Sequence, residues 1–237
     1  MKPAICCLAA MLVSLSVDIV AGDREPREGE GNAVIERFLA REDTPLREYR
    51  ARRTLRAASP RLGAHASLEA ITELTAGGTF NYRVVREEGS GSVRTRVLHA
   101  VLRDEKRTLE QGDPKQSRLS ADNYRFTFEP GRGALLDATP TEPGELLIGI
   151  TPRRSDVLLV DGTIAVDASG DLLRVEGRLA KNPSFWTSRV EVVRRYARIA
   201  GVRVPVSTTS VAQVKIAGKS EFEMTYRYES INGKTVP

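Results

Sequence analysis

Residues 145–179 read ELLIGITPRRSDVLLVDGTIAVDASGDLLRVEGRL, and the fold class follows from how this stretch is parsed. Two β-rich runs, Val157–Val160 and Thr163–Val166, flank the dipeptide Asp161-Gly162. Asp-Gly between such runs predicts a hairpin, because a type I′ turn needs positive φ at both central residues. A second turn, Asp167–Asp171 with Ser169-Gly170, leads into Leu172–Leu179. There Leu173, Val175, Gly177 and Leu179 fall on one face, and Leu172, Arg174, Glu176 and Arg178 on the other. That is the pattern of a half-buried strand in an antiparallel meander.

The same alternation continues outward in both directions. Downstream, Val190, Val192 and Tyr196 share a face with Arg194, and Val202, Val204, Val206 and then Ala212, Val214, Ile216 alternate in turn. Phe222, Met224, Tyr226 and Tyr228 line one face against Glu221, Glu223, Thr225 and Arg227, the cleanest alternation in the chain. Upstream, Tyr124, Phe126 and Phe128 alternate with Arg125 and Thr127, and Phe80, Tyr82 and Val84 align after the Gly77-Gly78 turn. Ala66–Thr75 sets Leu68, Ala70, Thr72 and Leu74 against Ser67, Glu69, Ile71 and Glu73. It fits a strand and also admits a helix; the strand is preferred.

Two stretches carry helical spacing. Ala33–Arg41, with Asn32 as N-cap, gathers Val34, Ile35, Phe38 and Leu39 on one side and ends before Thr44-Pro45. Val93–Leu109 carries a stripe of Val93, Val97, Ala100 and Val101, broadened by Leu98 and Leu102, with Arg94, Arg96 and Arg103 toward water. About eleven strands with few helices predict a mainly β (α+β) protein, an incomplete antiparallel β-barrel with a helix packed on its concave side. The segment Leu46–Ala58 brings together Arg47, Arg50, Arg52, Arg53 and Arg56. The interleaved Glu48 and the export leader described next favour a solvated strand face that discourages edge pairing over a nucleic-acid patch.

Residues 1–22 read as a secretory signal peptide: Lys2, then the 14-residue apolar run Ala4–Val17, then small residues that allow cleavage after Ala21 or Gly22. An uncleaved N-terminal anchor is the alternative. Cys6 and Cys7 lie near the start of that run, so the mature chain has no thiol. Its formal charge stays +5 once Lys2 and Asp18 are removed, 35 basic against 30 acidic residues. Residues 23–237 then form one domain, with 23–45 a spacer and short helix, exported to the periplasm of a bacterial envelope.

No catalytic constellation is present. His65 and His99 have no cysteine or HExxH-type neighbour, and neither a G-x-S-x-G elbow nor a phosphate-binding glycine loop occurs. Gly89-Ser90-Gly91 before the longer helix is a strand-to-helix turn that also has the form of an anion site. Carboxylates cannot be paired across strands from sequence, which leaves a two-carboxylate hydrolase open. The expectation is a protein that is not an enzyme, with no metal and no cofactor.

The order of strands, the helix near Val93–Leu109, and the runs LLVDGTIAVD at 158–167 and RVEGRLAKNPSFW at 174–186 resemble the LolA-like superfamily of bacterial envelope proteins over roughly Leu46 to Asn232. That superfamily includes the lipoprotein carrier LolA, the receptor LolB and the amino-terminal domain of the sensor RseB. The resemblance implies a periplasmic binder or carrier of an acylated ligand, the acyl chain of a lipoprotein or a lipid, with only transient membrane contact and no nucleic acid. An RseB-like module that binds an envelope protein partner is the alternative. Ligand-lining candidates are Phe80, Tyr82, Val97, Val101, Phe126, Phe128, Val190, Arg194, Tyr196, Phe222, Met224 and Tyr226. On this reading the Val93–Leu109 helix is a lid over the open side of the barrel.

Overall fold

The computed structural model describes residues 28–128, 144–183, 187–215 and 217–237. The expected signal peptide lies outside these residues. A helix α1, Glu28–Ala40, precedes three strands, β1 (Tyr49–Ser59), β2 (Ala64–Leu74) and β3 (Phe80–Gly89). Three contiguous helical pieces follow, Gly91–Val93, a π-turn at Arg94–Leu98, and His99–Gln111; together they make one helix, α2. The meander β4 (Tyr124–Thr127), β5 (Leu146–Pro152), β6 (Val160–Val166), β7 (Leu172–Leu179), β8 (Thr187–Ile199), β9 (Val202–Val214) and β10 (Gly218–Ile231) completes the chain with a two-residue β11, Lys234–Thr235.

All strand pairs are antiparallel, in the spatial order β3-β2-β1-β10-β9-β8-β7-β6-β5-β4, with β11 beside β10. The sheet is open: β3 and β4 are its two edges and do not pair, as the mainly β, incomplete-barrel expectation requires. The chain leaves edge β3, crosses the concave face as α2, and re-enters at the opposite edge β4. Bulges at Arg50/Ala51, Glu69/Ala70, Ala165/Val166 and Arg195/Tyr196 add local twist and help coil the long strands around that helix. Among the described residues, no helix is long and apolar enough to cross a membrane.

Both helices pack on the concave side. Leu98 and Leu102 of α2, each 0% exposed, sit on Leu55, Leu68, Ala70 and Met224. Val34 and Phe38 of α1 close the other half, packing with Tyr124, Ile148, Ile150, Ile164 and Val175. The helix α1 begins earlier than the spacing predicts: Asn32 lies inside it, exposed, instead of capping it.

Three expectations from sequence are corrected. Asp161-Gly162 is not a turn but lies within β6, where Gly162 stands opposite Gly177 of β7. A Cβ on Gly162 would meet the carbonyl oxygen of Glu176 and lie 2.6 Å from the Cα of Gly177. The glycine is there for close backbone approach, not for positive φ. The reversal before β6 is made by Asp156, whose carboxylate accepts from the amide of Leu158 at 3.0 Å and whose carbonyl accepts from Leu159 at 3.3 Å. Second, the polar face of β7 is buried at Arg174 and Glu176 and solvated only at Arg178. Arg174 and Glu176 are each 1% exposed and pair at 3.2 Å, with Glu145 3.1 Å from Arg174, and the bulge at Leu173 swings Leu172 into the core. Third, β1 is an interior strand paired on both sides, and its arginines divide. Arg50, Arg52 and Arg56 take carboxylates on the convex face, while Arg53 is 1% exposed on the concave one.

The turn Asp167–Asp171 forms as expected, with Asp167 Oδ1 accepting from the amides of Ser169 and Asp171 and Gly170 at φ 80°. It abuts α1, and Arg198 of β8 donates to both oxygens of Asp171 at 2.7 Å. Arg198 holds the Asp171 carboxyl below the usual aspartate range, with Arg41 and Arg203 adding to it. A carboxyl whose folded pKa is depressed stabilises the fold above its unfolded pKa, and that stability is lost as pH falls through the folded value. Asp171→Asn should therefore cost about 1 kcal/mol near neutral pH, the scale of a solvent-screened pair, with the difference from wild type shrinking below about pH 4. Urea unfolding across that range measures it; a difference independent of pH would remove the carboxylate from the explanation.

Candidate functional site

Between α2 and the floor formed by β8, β9 and β10 runs a cleft of two adjoining chambers. The first is a cavity of about 600 Å³ walled by Val93, Val97 and Val101 of α2, Val190 and Val192 of β8, Ala212 of β9 and Phe222 of β10. Its walls are overwhelmingly apolar, and its rim carries Leu62, Arg96 and Pro183. The second, of about 400 Å³, is lined by Val101, Glu105, Leu109, Tyr124, Leu158, Val175, Arg194, Tyr196, Met224 and Tyr226 among others. Val101, Leu179 and Val192 border both. These volumes lie in the range of small-molecule sites.

Alternation explains how the floor is built. Strand β8 directs Val190, Val192, Arg194 and Tyr196 to one side, and β10 directs Phe222, Met224 and Tyr226 to the same side. Eight of the twelve expected lining residues therefore come together: Val97, Val101, Val190, Arg194, Tyr196, Phe222, Met224 and Tyr226. Four do not border either chamber. Phe80 is fully buried among Tyr49, Val202, Val204 and Tyr228 of the strands, with Tyr82 beside it at 6.3 Å, and Phe126 packs on Phe38 of α1 at 5.9 Å. Phe128 lies beyond the end of β4 against Gly31 of α1. Tyr82 packs with Leu98 and Leu102 of α2 and Phe126 with Val34 and Phe38 of α1, so helices take up the space a ligand would need there.

Helix α2 departs from the sequence-based picture in phase. A regular helix puts Val93, Val97, Ala100 and Val101 against the sheet. The π-turn adds one residue between Val93 and Leu98, so the buried line runs through Leu98 and Leu102 and is continued by the half-buried Glu105. Val97 turns toward the cleft and is 37% exposed. Arg96 stands at the cleft rim, not on the far wet face, while Arg94 pairs with Glu87 at 2.7 Å. His99 also reaches Glu87, at 2.8 Å, and His65 is exposed on β2.

Beneath the helix lies a cluster that the strand pattern did not announce. Arg53 makes a two-pronged pair with Glu105 of α2, one arm at 2.9 Å, and donates to the Tyr49 hydroxyl. Its guanidinium lies 4.5 Å from the Tyr226 ring centre and 5.5 Å from that of Phe80. Burial works against the Arg53 charge, and the Glu105 carboxylate more than offsets that, leaving the guanidinium more firmly protonated than usual. Burial pushes the Tyr49, Tyr226 and Tyr228 phenols up, so they stay neutral. Lys106 adds a bond to the Phe80 carbonyl at 2.7 Å. The centre of α2 is thus fastened to β1 and β3, and the cleft opens on its other side.

No family model matches the sequence, and no curated protein matches it. Among solved structures, the chain is similar to a DUF1329 family protein from Desulfovibrio piger, at 9% identity over 84% of this chain and 91% of that one, with a TM-score of 0.29.

Proposed function

We propose that the protein is a non-enzymatic periplasmic binder or carrier of an acylated ligand, a lipid or the acyl chain of a lipoprotein, held in the cleft between α2 and β8–β10. The observation that carries this reading is the apolar first chamber of about 600 Å³, open at its rim and walled by valine, alanine and phenylalanine. Water gains little from such walls, whereas each buried CH₂ of an acyl chain contributes ~0.8 kcal/mol. About a dozen methylenes give on the order of 10 kcal/mol before ordering costs, enough for reversible holding without covalent chemistry. The resemblance to the LolA-like superfamily and the export leader read from the sequence point the same way.

Native mass spectrometry of the protein purified from its own envelope tests the proposal. Acyl-bearing adducts that disappear on delipidation are the expected result. A stoichiometric protein partner with no acyl species would replace the carrier by a sensor or assembly module.

A substitution in the wall makes a second test. Val97→Glu places a carboxylate where the chain must lie, and uptake of a fluorescent fatty acid should weaken about tenfold or more. Because Val97 is 37% exposed, thermal stability should hardly change. Unchanged uptake would take the first chamber out of the binding site.

A further inference from the structure

The cleft is not apolar throughout, and its polarity has a direction. Along β8, Val190 faces the first chamber, Val192 borders both, and Arg194 and Tyr196 face the second. Residues two apart on a strand are separated by about 6.6 Å, so Arg194 lies about 13 Å along the floor from Val190.

Among the described residues, the charge on Arg194 has no carboxylate in direct contact; Glu105 acts on it only from across the chamber. The Arg194 Nε donates to Thr208 Oγ1 at 3.3 Å. No carboxylate among the described residues forms an ion pair with its guanidinium. The carboxylate that shares the chamber, Glu105, is already held by both arms of Arg53. Tyr196 and Tyr226 contribute phenol hydroxyls to the same chamber, and burial pushes the Tyr226 phenol up. With the Glu105 charge taken up by Arg53 beneath the chamber, Arg194 is left as the unmatched charge among the residues that line it. Arg194 is exposed, and its guanidinium borders the chamber. An arginine cannot escape the cost by losing its proton. A neutral ligand filling the cleft strips water from the guanidinium and returns nothing, whereas a carboxylate replaces that water with paired, charge-assisted hydrogen bonds.

We infer that the cleft takes a single-chain amphiphile with a carboxylate head, a long-chain fatty acid, whose head group sits on Arg194 and whose chain runs past Val192 and Val190 beneath Val97. This rests on the acyl-binding reading above and adds to it the head group and the direction of insertion.

The test is displacement of the neutral dye Nile red from the full chain by hexadecanoate, hexadecan-1-ol and hexadecyl phosphate. Hexadecanoate should displace at concentrations about tenfold lower than the alcohol. Arg194→Gln, checked for its fold by circular dichroism, should abolish that difference by weakening hexadecanoate, with the alcohol displacing at the same or a lower concentration, and Arg194→Lys should restore part of the difference. Equal displacement by acid and alcohol in the wild type, or a preference that survives in Arg194→Gln, overturns the head-group assignment and leaves the acyl-binding reading standing. Tighter binding of hexadecyl phosphate than of hexadecanoate overturns the fatty-acid assignment in favour of a phosphate head. Binding of neither acid nor alcohol overturns the acyl-binding reading and the assignment with it.

Discussion

Glu105→Ala is expected to destabilise the protein by about 3–5 kcal/mol, the cost of leaving one member of a buried ion pair without its partner. For a chain of this size that corresponds to a melting temperature about 10 °C lower or more. The asymmetry of the pair sets the size of the effect. Glu105 keeps 27% of its side-chain surface, but Arg53 keeps 1%. The arginine cannot reach water when the carboxylate is gone, and the Tyr49 hydroxyl and the faces of Tyr226 and Phe80 replace only part of what it loses. The loss should also loosen α2, because Glu105 continues the line of Leu98 and Leu102 that fastens the helix. The double variant Arg53→Met with Glu105→Leu should recover most of the stability, since it removes both charges and keeps the volume. Urea unfolding of the three proteins decides the matter. A loss below about 1 kcal/mol for Glu105→Ala would mean that the guanidinium is far better solvated than its burial indicates.

The place of Arg53 was legible in part. Period-2 alternation sets Tyr49, Ala51, Arg53, Leu55 and Ala57 on one face of β1, and that is the face the structure buries. What obscured it was the company: five arginines in one segment read as a single solvated set. The carboxylate that permits the burial lies 52 residues away on α2, and no local rule connects the two. The convex arginines are explained by the same neighbours that alternation predicts, with Arg52 reaching Glu69 across the β1–β2 pair at 2.6 Å.

The cleft was legible where a strand face met open space, and not where a helix intervened. Alternation named the floor residues of β8 and β10 because a strand has only two faces. It named Phe80, Tyr82 and Phe126 by the same argument, but a face says nothing about what covers it: α2 packs with Tyr82, α1 with Phe126, and Phe80 is closed in by Tyr49, Val202, Val204 and Tyr228. The phase of α2 was beyond sequence rules for another reason. A π-turn is selected by packing, here by Leu98 and Leu102 entering the sheet together, and a 3.6-residue stripe cannot report it.

The misread Asp161-Gly162 supplies a sharper test, because the turn and the strand make opposite predictions for one substitution. A type I′ turn accepts asparagine at its central positions, since asparagine tolerates positive φ. In the strand, Gly162 faces Gly177, whose φ is +152°, and any Cβ at position 162 would run into the Glu176 carbonyl and the Gly177 Cα. The two backbones cannot move apart cheaply, because β6 and β7 are held by their ladder on both sides of the contact, with Ile164 and Val166 fully buried beyond it. Gly162→Ala and Gly162→Asn should therefore each cost about 1–3 kcal/mol, and Gly162→Val more. Asp161→Asn should be close to neutral, because the ion pair Asp161 makes among the described residues is an exposed, 3.9 Å contact with Arg178. Equilibrium unfolding in urea separates the cases. A Gly162→Asn protein as stable as wild type would restore the turn and shift the register of β6 against β7. It would also move Val160 and Val175, both of which line the second chamber, so the stability of this one variant bears on the geometry of the cleft itself.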